Sequence, residues 1–221
     1  MSLNVLTDKL WFPPLETALS DGLLALGGDL SKDRLLLAYR LGIFPWFEGD
    51  YPLWWSPDPR FVLFPEHLKI SKSMKTLMRK DVFSFSINQA FEKVIKSCQQ
   101  VNRADQEGTW ITESVLSAYT ELHKEGYAIS AEAWQEEQLV GGLYGVLLGR
   151  VFFGESMFSQ ASNASKFAFI KLVEKLKEKS IVLIDCQVYT EHLESLGARM
   201  IPRREFVSLL RKYIPAETPN K

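Results

Sequence analysis

The sequence predicts an α+β protein with two domains, a small loop-rich α/β domain over residues 1–60 and a larger domain over residues 61–221. Two observations support this division. Up to residue 60, proline and glycine residues are closely spaced and mixed with tryptophans, which is typical of a compact module pinned by aromatic side chains. Beyond residue 60, apolar residues follow long helical and strand patterns in alternation. The second domain is expected to hold a mixed, largely antiparallel sheet flanked by helices.

One helix is evident in the first domain. The segment SKDRLLLAYRLG begins with Ser31, a good N-cap, and ends at Gly42, a residue suited to a helix C-terminus. The SPDPR stretch from Ser56 to Arg60 is expected to connect this domain to the next.

The second domain should begin with helices and continue with strands. Apolar residues recur at helical spacing over residues 87–99 and 112–125, and Thr112 is placed to cap the second of these helices. Short connections between the strands that follow favour an antiparallel meander, because parallel neighbours need long crossovers. The remaining predicted elements are strands 127–134, 139–148, 151–157, 181–185 and 198–201, and helices 163–179 and 203–213.

A three-strand meander followed by a helix and a buried strand is the element order of the GNAT acyltransferase fold. We therefore expect a GNAT-like second domain. Such a fold hosts more than one chemistry, so function has to come from the site.

Composition narrows the class of protein. The net charge of −1 argues against a surface that binds nucleic acid everywhere, so any RNA contact must use a local patch. No apolar stretch approaches the roughly 20 residues that span a bilayer. The two cysteines, Cys98 and Cys186, lie far apart and suggest neither a disulfide framework nor a zinc site. We expect a cytoplasmic monomer without a membrane anchor.

Three polar residues stand out near the ends of apolar strands. Asp185 ends the apolar run IVLID, and a carboxylate there must be paired, solvated or used. Gln187 lies two residues further on and points to the same face if the chain is still extended. Glu155, in GESMF, raises the same question on the preceding strand. Each carboxylate is also compatible with a purely structural role.

Other segments have two interpretations. Trp46 and Trp110 occur in loop-like settings where an aromatic face can stack on a base, or can simply anchor a loop. The cations between Lys69 and Lys80 suit a phosphate backbone, but also a solvated helix face. Cys186 is expected to pack rather than to act as a nucleophile.

Generic nucleotide and metalloenzyme motifs are absent from the sequence: it contains no GxxxxGK[ST], no GxGxxG after a strand and no HExxH. We therefore expect no metal and no cofactor. A group transfer from an already activated donor needs neither.

Several segments together resemble the bacterial leucyl/phenylalanyl-tRNA-protein transferases, in the family's order and over nearly the whole chain. They are GLLALGGDLS (22–31), LAYRLGIFPWF (37–47), LWWSPDPR (53–60), GTWIT (108–112), LVGGLYG (139–145), FFGESMFS (152–159), NASK (163–166), LIDCQ (183–187) and SLGA (195–198). Thr190 departs from the family pattern, since many members have asparagine there.

The resemblance implies an enzyme that moves leucine or phenylalanine, and methionine weakly, from aminoacyl-tRNA to an acceptor protein. The acceptor would begin with arginine or lysine, and the product would enter the N-end rule degradation pathway. The resemblance also implies roles for individual residues. They are a catalytic relay of Asp185 and Gln187, acceptor binding by Glu155, stacking of the terminal adenosine between Trp46 and Trp110, and an apolar donor pocket lined by Met157 and Ile184.

Two other readings remain open from the residues alone. A GNAT N-acetyltransferase would share the fold, but it needs a glycine-rich pyrophosphate loop where this chain has SQASNASK. A non-catalytic tRNA-binding protein would keep the tryptophans and the basic stretch without needing Asp185 and Gln187 together.

Overall fold

The computed structural model describes residues 3–101 and 111–215. The first four strands form one sheet in the order β1-β2-β4-β3, in which only the β1–β2 pair is parallel. These strands are β1 (Asn4–Leu6), β2 (Leu23–Gly27), β3 (Phe44–Pro45) and β4 (Leu53–Trp55). Helix α1 (Lys32–Leu41) follows β2. It begins and ends as predicted, because the Ser31 hydroxyl accepts the Arg34 amide and Gly42 is left-handed with φ of 81°.

The remaining strands form a seven-stranded sheet in the order β11-β5-β10-β9-β8-β7-β6. They are β5 (Arg60–Leu63), β6 (Ser84–Ile87), β7 (Ala128–Gln135), β8 (Gln138–Leu148), β9 (Val151–Ser159), β10 (Leu183–Gln187) and β11 (Arg199–Ile201). Within it, β9 and β10 are parallel and the other pairs are antiparallel. We propose that the two sheets mark the domains 1–60 and 61–221.

Helices cover both faces of this larger sheet. They are α2 (Lys72–Arg79), α3 (Phe91–Gln99), α4 (Glu113–Lys124), α5 (Ala164–Glu178), α6 (Glu191–Ser195) and α7 (Arg203–Tyr213). Successive side chains of a strand point to opposite faces, and β9 shows the result. Phe153 packs in the core cluster shared with α1, α3, α4 and α7, whereas Phe152 packs in the cluster shared with α2 and α5.

The predicted fold class is confirmed, including the order of elements on which the GNAT-like expectation rested. Strands β7, β8 and β9 form the antiparallel meander, α5 follows it, and β10 returns parallel to β9. None of the helices in the described part of the chain has the length and apolar character that crossing a membrane requires.

Most of the predicted boundaries lie within two residues of the observed ones, and two differences concern short strands that were not predicted. The helix expected from residue 87 begins at Phe91, because Asn88 turns the chain with φ of 61° and Ile87 belongs to β6, which pairs with β7. Arg60 was expected to lie in a connector, but it is the first residue of β5 and pairs with β11. Periodicity alone could not detect either short strand, since both depend on a distant partner.

The strands β9 and β10 pair only over a short distance. Their register runs from Leu183 opposite Val151 to Asp185 opposite Phe153. Strand β9 continues to Ser159, paired only with β8. The two parallel strands therefore diverge beyond Asp185, and a cleft opens between their ends.

A pair of facing glycines tests this packing. Gly145 on β8 lies opposite Gly154 on β9. A Cβ at Gly145 would overlap the Phe153 carbonyl oxygen, whereas a Cβ at Gly154 would come no closer than 3.5 Å to a neighbour outside its adjacent residues. We expect Gly145→Ala to lower the free energy of unfolding by at least about 1–3 kcal/mol. Gly154→Ala is the matched control and should cost under about 1 kcal/mol. Urea unfolding followed by tryptophan fluorescence measures both, and equal losses would contradict the expectation.

Candidate active site

A cavity of about 380 Å³ occupies the cleft between β9 and β10. Part of its wall is apolar, formed by Leu143, Met157, Phe169 and Ile184. The ends of the two strands add polar groups, and one side is closed by Phe44 and Pro45 of β3 together with Trp46. The cavity thus places an apolar slot next to a cluster of hydrogen-bonding side chains.

Six of the seven residues predicted as site residues line this one cavity. They are Trp46, Glu155, Met157, Ile184, Asp185 and Gln187. The seventh, Trp110, lies outside the described residues. Side chains separated by more than 100 positions in the sequence are therefore brought together in one cavity.

Asp185 is fully buried and held by an arginine. Arg60 donates through Nε to Oδ1 at 2.8 Å and through Nη2 to Oδ2 at 2.7 Å. The exposed fraction is 0% for Asp185 and 1% for Arg60. Because burial of an unpaired carboxylate is very costly, this bidentate pair explains how Asp185 can end a buried strand.

Gln187 is oriented differently from the prediction. The chain is not extended there: the β5–β10 register shifts between Asp185 and Gln187, and Gln187 has φ of 63°. Asp185 Oδ1 accepts the backbone N–H of Gln187 at 3.0 Å. The Gln187 side-chain amide instead donates to Glu155 Oε1 at 3.0 Å. The expected contact between the side chains of Asp185 and Gln187 is thus replaced by a backbone contact.

Glu155 receives hydrogen bonds from two sides. Besides the Gln187 amide, the Tyr119 hydroxyl donates to Oε2 at 2.9 Å, and Tyr119 is hydrogen-bonded in turn to Tyr39. The pKa of Glu155 is raised from its usual value to about 7. Burial is the largest cause and the nearby Asp185 charge acts in the same direction, while the two tyrosines and Arg60 act in the opposite direction. A carboxyl with such a pKa can exchange a proton near neutral pH.

Sequence reasoning missed three members of this site, namely Arg60, Tyr39 and Tyr119. Burial raises the pKa of both tyrosines well above the usual value, so each remains a hydroxyl donor. A signal for Arg60 existed, since a buried Asp185 requires a cation and an arginine opens the apolar strand RFVL. The tyrosines lie on helix faces where any aromatic residue would suit the core, and therefore gave no signal.

Cys186 lies on the cavity wall between Asp185 and Gln187. Burial raises the pKa of its thiol, and the Asp185 charge raises it further. The thiol is therefore un-ionised at neutral pH, which agrees with the prediction that Cys186 packs rather than acts as a nucleophile.

The basic stretch forms an amphipathic helix. Lys72, Lys75 and Arg79 of α2 share one exposed face, while Met74 is buried beneath it.

In the part of the chain that the structure describes, no group of three or more histidine, cysteine, aspartate or glutamate side chains could hold a metal ion.

The larger sheet has the element order of the GNAT acyltransferase fold, and it parts beside a cavity with both polar and apolar walls. A family model described as "Leucyl/phenylalanyl-tRNA protein transferase" matches residues 62–211. The chain therefore belongs to this family of aminoacyltransferases. A second model, described as the N-terminal domain of the same transferase, matches residues 28–58.

Known proteins agree with this assignment. A leucyl/phenylalanyl-tRNA--protein transferase of Christiangramia forsetii is 59% identical over 202 residues, covering 90% of this chain and 95% of that protein. A protein of the same name from Syntrophobacter fumaroxidans is 57% identical over 211 residues, covering 95% of this chain and 90% of that protein. One from Pseudomonas fluorescens is 55% identical over 216 residues and covers 96% and 94% of the two chains.

The pKa of Glu155 has a consequence for stability. Its value of about 7 in the fold exceeds the ordinary 4.5, so the folded state favours the protonated form. The stabilisation of the fold by protonated Glu155 is fully present below pH 4.5 and is lost as the pH rises through about 7. In Glu155→Gln the side chain at this position has no group that titrates. The free energy of unfolding of wild type, minus that of Glu155→Gln, should therefore fall between these pH values by at most about 3 kcal/mol. Urea unfolding at several pH values measures this difference, and a constant difference would contradict the raised pKa.

Proposed function

We propose that this protein transfers leucine or phenylalanine, and methionine weakly, from aminoacyl-tRNA to the N-terminal arginine or lysine of an acceptor protein. The product carries a new peptide bond and is directed to the N-end rule degradation pathway. One observation carries this proposal beyond family membership: an apolar slot lies directly beside Glu155 and Gln187 in a single cavity. We also propose that the protein acts as a cytoplasmic monomer and requires no cofactor.

The donor side chain is proposed to enter the apolar part of the cavity. Met157 and Ile184 contribute to its wall, together with Leu143 and Phe169. Leucine and phenylalanine fill such a slot better than smaller side chains do. Because a missing methylene costs only about 1–3 kcal/mol in a pocket of this kind, discrimination between similar apolar side chains should be loose.

The tRNA is proposed to contact the protein at two places. Trp46 lies at the cavity wall and is half-buried, so its ring can stack on the terminal adenine. Trp110 remains a predicted second stacking partner. The exposed cations of α2 suit the phosphate backbone of the acceptor stem, a contact that salt should weaken.

The chemistry requires little beyond positioning and proton transfer, because the aminoacyl ester is already activated. The acceptor amine attacks the ester carbonyl, a C–N bond forms and the C–O bond to the ribose breaks. The amine loses one proton and the ribose oxygen gains one. We propose that Glu155 holds the amine and accepts its proton, since its pKa of about 7 lies close to that of an α-amino group. Gln187 and Asp185 keep this carboxylate and the amine aligned.

One observation disfavours the acetyl-CoA alternative. The first amides of α5, which would bind a pyrophosphate, are used by the preceding loop. Ser165 N–H donates to Ser159 Oγ at 3.1 Å, and Ala164 N–H donates to the Ala161 carbonyl at 3.0 Å. With these donors satisfied, the helix N-terminus offers less to a phosphate.

Transfer of label from Leu-tRNA to a peptide tests the proposed function. With labelled Leu-tRNA, we expect label in a peptide that begins with arginine and little in the same peptide beginning with alanine. Glu155→Gln should lower the transfer rate by about 100- to 10,000-fold, as loss of a general base does. Binding of tRNA by this variant should be retained. Transfer by wild type should also rise with pH through about 7, as Glu155 becomes ionised. A wild-type protein that binds Leu-tRNA without labelling any peptide would favour the non-catalytic reading.

The donor slot has its own test. Met157→Ala enlarges the apolar slot, so it should lower kcat/KM for leucine more than kcat/KM for phenylalanine. The ratio of these two kcat/KM values should change by about 10-fold. Met200→Ala is the matched control, because Met200 lies on β11 with 43% of its surface exposed. The measurement is the ratio of kcat/KM for Leu-tRNA to kcat/KM for Phe-tRNA, determined in parallel for both variants and wild type. An unchanged ratio in Met157→Ala would remove Met157 from the donor slot.

A further inference from the structure

Arg60 is a buried cation next to the site but not part of the cavity wall. Its guanidinium carbon lies 4.6 Å from the ring centre of Phe44 and 4.8 Å from that of Phe206. The same guanidinium holds both oxygens of Asp185, at 2.8 and 2.7 Å. Two rings and a bidentate ion pair therefore leave this side chain a single orientation.

Asp185, held by Arg60, in turn fixes the backbone at Gln187. Its Oδ1, already bound to Arg60, also accepts the backbone N–H of Gln187. Gln187 needs such a contact, because its φ of 63° is unfavourable for a residue other than glycine. This bend aims the Gln187 amide at Glu155 Oε1, 3.0 Å away.

The placement of Asp185 is also unsuitable for accepting a proton. Both of its oxygens are occupied by Arg60, and its exposed fraction is 0%. Loss of this ion pair would leave the Arg60 charge buried without its partner, which is strongly unfavourable. Glu155, in contrast, is bound only by neutral donors in the contacts of the described residues.

We propose that Arg60 is a positioning residue of the transfer site: through Asp185 it fixes the bend at Gln187, and Asp185 serves as its counter-charge rather than as the proton acceptor. This inference rests on the function proposed above. It assigns the two carboxylates different tasks, with Asp185 maintaining geometry and Glu155 handling the proton.

Steady-state transfer kinetics with four variants test this inference. Arg60→Met should lower kcat by about 100-fold with KM for Leu-tRNA changed less than about threefold, since a small misplacement of the reacting groups has an effect of that size. Arg60→Lys should recover part of the loss. Asp185→Asn alone should be strongly impaired, because it leaves Arg60 unpaired. The neutral double variant Arg60→Met/Asp185→Asn should recover to within about tenfold of wild type, since asparagine still accepts the Gln187 N–H.

The same double variant decides the outcome. If Asp185 were the proton acceptor, the double variant would be as inactive as Asp185→Asn while remaining folded in urea unfolding, and the inference would be overturned. An acidic limb of the pH profile near pH 7 in the active double variant supports Glu155 as the base. Arg199→Met is the matched control, because Arg199 on β11 is exposed and lies 5.0 Å over the Phe64 ring. Its kinetics should equal those of wild type.

An NMR measurement separates failure of this inference from failure of the proposed function. The backbone amide signal of Gln187 should move in Arg60→Met and return towards its wild-type position in the double variant. If wild type transfers no label but this pattern is seen, the proposed function fails and the positioning role stands. If the Gln187 signal is unchanged in Arg60→Met, the positioning role is wrong, whatever the activity.

Discussion

Strands β9 and β10 lie side by side only as far as Asp185, and the site depends on what happens to the backbone beyond that point. Backbone amides that leave a sheet must find other partners, because a buried unpaired N–H is costly. Here the first amide past the bend, that of Gln187, is satisfied by the Asp185 side chain. The cleft between the strands is therefore compatible with a stable sheet only if the acceptor oxygen of residue Asp185 stays in place. Arg60 provides that condition.

This constraint links both sheets to one cavity. Arg60 begins β5 of the larger sheet, while one ring beside it, Phe44, belongs to β3 of the smaller sheet. Phe206, the other ring, comes from α7 near the end of the chain. Contacts distant in sequence thus determine the position of a side chain at the cavity. This explains how the N-terminal segment, with its small sheet, contributes directly to the site.

Much of the fold could be read from the sequence because the relevant signals are local. The cap at Ser31, the terminator at Gly42 and the short connections of the meander each act within a few residues, and all were predicted correctly. Strand β6 was missed because its two-residue alternation gains meaning only from its pairing with β7. The same holds for the cavity. The family resemblance named residues that line one cavity, but periodicity could not reveal the shift in register at Gln187 or the arginine behind Asp185.

Two carboxylates in one site normally raise the question of which one exchanges a proton, and their surroundings answer it in physical terms. Both oxygens of Asp185 accept hydrogen bonds from the Arg60 guanidinium. Glu155 has neutral hydroxyl and amide donors, and burial raises its pKa to about 7. The Asp185 charge itself contributes to that raised pKa, while Arg60 opposes it. The ion pair therefore does more than hold a bend, because its two charges act on the pKa of Glu155 in opposite directions. Burial is the largest cause of the raised pKa, and it brings this carboxyl into the pH range where an α-amino group titrates.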